Sequence, residues 1–78
     1  MTNPAAVANL ESQSVSLAGT TYDIRPLAAD TFTVLIAGVP VGRIVYTFGA
    51  ANGVPEGDAV SEDVLTTIAE AWFAAVDG

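Results

Sequence analysis

The stretch Thr31–Phe48, TFTVLIAGVPVGRIVYTF, decides how the rest of the chain is read. β-Branched and aromatic residues fill both halves, and Gly38-Val39-Pro40 interrupts them. Such side chains fit a pleated surface and crowd a helix, so the stretch predicts two strands, Thr31–Ala37 and Val41–Phe48, joined by a turn. Alternation sends Phe32, Val34 and Ile36 to one face and Leu35 and Ala37 to the other. In the second strand Ile44, Tyr46 and Phe48 oppose Val41 and Val45. Both strands are therefore apolar on both faces, whereas a sheet with one wet face alternates more cleanly. The second face requires a cover, either the N-terminal arm or another subunit.

Working toward the N-terminus, the same pattern continues. Val15 and Leu17 alternate with serines, and Ala18-Gly19-Thr20 supplies a turn. Tyr22 and Ile24 alternate with Thr21, Asp23 and Arg25. Pro26 has no N–H to donate and so ends or edges that strand, and Ala28-Ala29-Asp30 turns the chain into Thr31. Residues 13–48 thus read as a four-stranded antiparallel meander. Residues 1–11 read as an arm: Asn3-Pro4 resembles an N-cap followed by the first helical position. One or two helical turns over Ala5–Leu10 would set Val7 and Leu10 on one side, and a frayed tail is the alternative.

Toward the C-terminus, residues 49–60 (Gly-Ala-Ala-Asn-Gly-Val-Pro-Glu-Gly-Asp-Ala-Val) have the composition of a loop. Ser61 reads as an N-cap, with Glu62 and Asp63 at the positive end of a helix dipole. A helix over 61–77 places Leu65, Ile68, Ala69, Trp72 and Val76 on one face. The expectation is one α+β domain over residues 1–78, a four-stranded β-meander with a C-terminal helix packed on it.

Composition narrows the function. The chain has 78 residues, no Cys and no His, so neither a disulfide nor a cysteine–histidine zinc site can staple it. Without His, Cys or Lys the usual bases and activated nucleophiles are missing, which argues against an enzyme. No phosphate-cradling glycine pattern precedes a helix; Gly38 and Gly42 read as turn and strand-approach residues. Neither a metal nor an organic cofactor is expected. The sequence shows no leader-like apolar core near its start and no run of about 20 apolar residues. A cytoplasmic protein is the default expectation.

Nine acids face two arginines, for a net charge of −7, yet charged residues make up only 14% of the chain. The acidity comes from missing bases. Direct nucleic-acid binding is disfavoured, as is an anionic membrane surface, because both need clustered Lys and Arg. A basic protein surface remains the natural partner. The charge is also uneven. Residues 1–55 carry Glu11, Asp23 and Asp30 against Arg25 and Arg43, whereas residues 56–78 carry Glu56, Asp58, Glu62, Asp63, Glu70 and Asp77 unopposed. On the helix Glu62, Asp63, Glu70 and Asp77 share an arc of about 100°, and Phe73 falls inside it. This acidic surface with an aromatic anchor, comprising Glu56, Asp58, Glu62, Asp63, Glu70, Phe73 and Asp77, is the candidate partner-binding site. The plainer reading is a solvated helix face with Phe73 reaching sideways into the edge of the core.

These features point to a non-enzymatic acidic binding module. Its most concrete form is a phage or mobile-element inhibitor occupying a basic, nucleic-acid-binding surface of a host protein, as an anti-CRISPR protein does. The alternative is a structural or assembly module, a phage particle component or a dimerising accessory subunit. The two-faced strands support a homodimer, with Leu35, Val41 or Val45 at its contact.

Overall fold

A computed structural model describes the backbone of residues 6–77 and the side chains of residues 6–76. Asn3, Pro4 and Ala5, on which the helical reading of the arm rested, lie outside the described residues. So does the side chain of Asp77. The described residues build six strands and one helix: β1 (Val7–Asn9), β2 (Ser14–Leu17), β3 (Thr20–Ala28), β4 (Thr31–Ile36), β5 (Val39–Thr47), β6 (Ala50–Pro55) and α1 (Glu62–Asp77). The strands pair antiparallel in chain order, β1 through β6, as a simple meander. Helix α1 touches β5 and β6 toward one edge of the sheet and β1 and β2 toward the other. One helix can reach both edges only if the sheet curls around it, giving a half-barrel with α1 across its open side.

The α+β class and the meander-plus-helix order are as expected, but four strands become six. Residues 7–9, expected in a helical or frayed arm, pair with Ser14–Ser16 as β1. Val7 and Leu10 do not form a shared buried side; they are 63% and 48% exposed. Residues 50–55, expected in a loop, pair from Thr47↔Ala50 through Gly42↔Pro55 as β6. Three turn positions also differ slightly from expectation. The chain reverses at Ala18-Gly19, Ala37-Gly38 and Phe48-Gly49, all six residues having positive φ. This is the two-residue turn whose twist matches that of the flanking strands. Val39 and Pro40 consequently belong to β5 and not to the turn.

The apparent two-facedness of β5 has a local cause, whereas Leu35 of β4, paired with Asp23, does lie on the outward face. Val34 pairs with Gly42, but its neighbour Leu35 pairs with Pro40, so Val41 is an inserted residue. This β-bulge changes the phase of β5. Val41 joins the core together with Ile44 and is 4% exposed. Leu35 is also covered within the chain, at 8% exposure, and only Val45 of the three expected contact residues is left half-buried. The outward-facing positions of the sheet's middle are mainly polar: Thr21, Asp23 and Arg25 on β3, and Arg43 on β5. Pro26 lies inside β3, not at its end, paired with Phe32. It is tolerated because β2 pairs only as far as Asp23, with one further bond from Ile24 N–H to the Gln13 carbonyl at 2.8 Å. Beyond that point β3 needs no donor on that side.

On the concave face Val15, Tyr22, Ile24, Val34, Val41 and Ile44 meet Leu65, Ile68, Ala69 and Trp72 of α1, with Val60 sealing the loop end. The helix begins as the sequence predicts, with Ser61 Oγ accepting from Val64 N–H at 3.3 Å. Its approach is unusually close at Leu65. A Cβ on Gly42 would stand 2.5 Å from Leu65 Cδ1 and 2.9 Å from the Val54 carbonyl oxygen. One on Gly53 would stand 2.7 Å from the Leu65 carbonyl carbon and from Thr66 N. The two glycines make a slot that Leu65 fills, and the helix rests almost directly on the backbone of β6. Trp72 packs edge-on against Phe32, with ring centroids 5.7 Å apart.

Candidate functional site

The fold divides the seven residues expected to form one binding surface. Glu56 follows β6 and lies 3.2 Å from Arg43 Nε, both side chains remaining about half exposed. Arg43 alternates with the buried Gly42 and Ile44, so this ion pair sits on the outward face of the sheet, away from the core side. Asp58 is exposed in the connection before α1. Glu62 and Asp63 occupy the first turn of α1, where the helix dipole favours carboxylates, and the Asp63 carbonyl accepts from Thr67 Oγ1 at 3.0 Å. Glu70 lies two turns further on, exposed. Asp77 is the last residue of α1.

Phe73 takes the plainer of its two readings, a side chain reaching into the edge of the core. It is not an exposed anchor within the carboxylate stripe but a half-buried side chain in an aromatic cluster. Its ring lies 5.6 Å from that of Phe32 and 5.2 Å from that of Tyr46. The spacing on the helix was read correctly; what the sequence could not place was the end of β5, which comes alongside and covers it. The cluster continues the core outward to the open end of the half-barrel.

Two adjoining clefts open at this end, and Tyr46 and Phe73 line both. One, of about 380 Å³, runs between the β5–β6 hairpin and α1, bounded by Gly49, Ala50 and Glu70. The other, of about 200 Å³, is bounded by Asp30 and Val76. Tyr46 and Val76 are 41% and 53% exposed, so the floor is apolar and open to solvent. The charged residues lining the clefts are Asp30 and Glu70, both acids. Of the two arginines, Arg43 is engaged by Glu56, and Arg25 lines a different cleft with Ser12 and Asp23, of about 400 Å³. The result is an aromatic floor with a carboxylate rim and no cation in its lining.

Three residues at or beside this surface were missed in the sequence. Asp30 was read only as a turn residue, and Tyr46 only as a strand residue. Neither carries a local signal for the site, because the meander brings them to α1 from sequence positions at least 27 residues away from Phe73. The third is Phe48, fully exposed at the hairpin tip. Its place at a hairpin tip was hidden because residues 50–55 read as a loop and not as the strand that follows it. Among the described residues no three acids come together in a group that would hold a metal ion. Among the same residues no helix is long and apolar enough to cross a membrane.

No protein-family model matches the chain, and neither a curated protein nor a solved structure resembles it closely enough to count as a match.

Proposed function

We propose that this protein is an acidic, non-enzymatic docking module that works in the cytoplasm by covering a basic surface on another protein. The observation that carries this reading is the open end of the half-barrel, where Tyr46 and Phe73 form an apolar floor rimmed by Asp30 and Glu70. Aromatic residues inside a charged rim are the usual composition of an energetic interface centre. The net charge of −7 adds long-range attraction for a cationic partner. Proteins whose basic surfaces normally hold nucleic acid are the partner class that fits best. An inhibitor of such a protein, anti-CRISPR-like in kind, is the specific form of the proposal.

The test is capture from a host lysate at low and at high salt, with the bound proteins identified by mass spectrometry. Wild type is compared with the double variant Asp30→Asn, Glu70→Gln. The reading expects basic proteins that elute with salt and bind the variant less. Retention indifferent to salt and to both substitutions would instead favour an assembly module. That second reading has its own observation: Leu27, Val39 and Val54 are apolar strand residues 56%, 61% and 41% exposed.

A further inference from the structure

The turn joining β5 to β6 has the wrong residue for its shape. Phe48 and Gly49 adopt φ values of 53° and 77°, the two-residue turn in which Asn, Asp or Gly is strongly preferred at the first position. A left-handed conformation brings Cβ against the following carbonyl, and for a bulky residue it is a genuine outlier. The Ala18-Gly19 and Ala37-Gly38 turns place alanine there, the smallest side chain with a Cβ. The third turn places phenylalanine, 102% exposed, so the ring packs on nothing in this molecule. Phe48 is thus unfavourable for the backbone and unfavourable for hydration at once. An outlier of this kind points toward a use outside the fold. Its next neighbour, Gly49, lines the cleft floored by Tyr46 and Phe73.

We infer that Phe48 is the anchor of a docking surface, closing over a cationic amphipathic segment of another protein seated in the Tyr46–Phe73 cleft. This rests on the docking reading above and names its central contact. The occupant follows from charge: of the two clefts that share Tyr46 and Phe73, one is lined by Asp30 and the other by Glu70, and no arginine lines either. An apolar face on the segment meets the two rings, and its Lys or Arg residues meet the two carboxylates. A second copy of this chain would place Asp30 and Glu70 against their own kind, which disfavours it.

The probe is a synthetic amphipathic helical peptide with leucine on one face and arginine on the other, labelled for fluorescence anisotropy. A counterpart with glutamate in place of arginine serves as control. Amide shifts in NMR spectra locate the contact. Phe48→Asn suits the turn better than the native residue, so loss of binding cannot be ascribed to loss of fold. The arginine peptide is expected to bind, with shifts at Tyr46, Gly49 and Phe73. Phe48→Asn should weaken it at least about tenfold with an unchanged salt slope. Glu70→Gln should flatten the salt slope, and Val39→Ser, at the other end of β5, should change nothing. Equal affinity for Phe48→Asn overturns the anchor and leaves the acidic docking reading standing. Equal binding of the glutamate peptide, or shifts confined to the Arg25 face, overturns the cleft as a cation-selective site, and no binding of the arginine peptide overturns the occupant. A concentration-dependent dimer in sedimentation that Phe48→Asn abolishes would identify the occupant as a second copy, against the proposal.

Discussion

Replacing Gly53 by alanine tests the closest contact in the fold. The added Cβ meets the Cβ and carbonyl carbon of Leu65 and the amide nitrogen of Thr66, atoms that no rotamer change can move. The helix must lift from β6 or the strand must bend. Overpacking of this type costs about 1–3 kcal/mol, and rigid backbone contacts place Gly53→Ala near the upper end. Alanine's reduced freedom in the unfolded chain returns about 0.4–1 kcal/mol, leaving a net loss of about 2–2.5 kcal/mol. For a domain of this size each kcal/mol moves the melting temperature by about 4–8 °C, so a drop of about 10–20 °C is expected by circular dichroism. Gly42→Ala provides the contrast, because its Cβ meets mainly the movable δ-methyl groups of Leu65. Leu65→Val removes those methyl groups and keeps the Cβ and backbone. In that background the penalty for Gly42→Ala should fall by at least about 0.5 kcal/mol, while the penalty for Gly53→Ala should stay the same within error. A Gly53→Ala protein melting within a few degrees of wild type would refute the close approach. So would rescue of Gly53→Ala by Leu65→Val.

Trp72 offers a second test of the core. Trp72→Ala should lose about 3–5 kcal/mol by opening a cavity against Phe32. Among the described residues Trp72 Nε1 is buried with no hydrogen-bond partner, so Trp72→Phe gives up volume but also relieves an unsatisfied donor. It should lose less than half as much in a denaturant titration. Ala37→Asn places a residue that tolerates positive φ at the first turn position; a gain of about 0.5–1 kcal/mol in the same titration is expected, and a loss would mean the turn is of another type. Removing the Arg43–Glu56 pair by Arg43→Gln and Glu56→Gln should show a coupling of less than about 1 kcal/mol in a double-mutant cycle, since both groups are half exposed. A larger coupling would place the pair in a less solvated setting than its exposure indicates.

The sequence carried the elements whose residues report on their own burial. Leu65, Ile68, Ala69 and Trp72 recur at helical spacing after a serine cap, and all four are buried. Val15 and Ile24 alternate with polar neighbours and are buried as well. What stayed hidden was set by contacts between distant segments. β6 reads as a loop because it holds Gly53 and Asn52, yet Gly53 is glycine because α1 lies on it. The bulge at Val41 made β5 look apolar on both faces, when the strand had only changed phase. For the site, the carboxylates of α1 were legible but their companions were not: the fold draws Glu56 away to Arg43, covers Phe73 and brings Tyr46 and Asp30 to the helix.

The position of α1 across both edges of the sheet also has a consequence for how the molecule comes into being. Every strand pairs with the one made just before it, so the meander can assemble progressively from local contacts. Its concave face has no cover until α1, which follows all six strands, has been synthesised. During translation the sheet must therefore wait, with Ile24, Val34 and Ile44 open to water and the edges at β1 and β6 unprotected. That interval ends in one step, when α1 leaves the ribosome and lays Leu65 into its slot. Slow emergence of α1 prolongs the exposure to chaperones and to other nascent sheets, whereas prompt emergence shortens it. The helix that completes the core is thus also the element that sets how long the newborn chain is sticky.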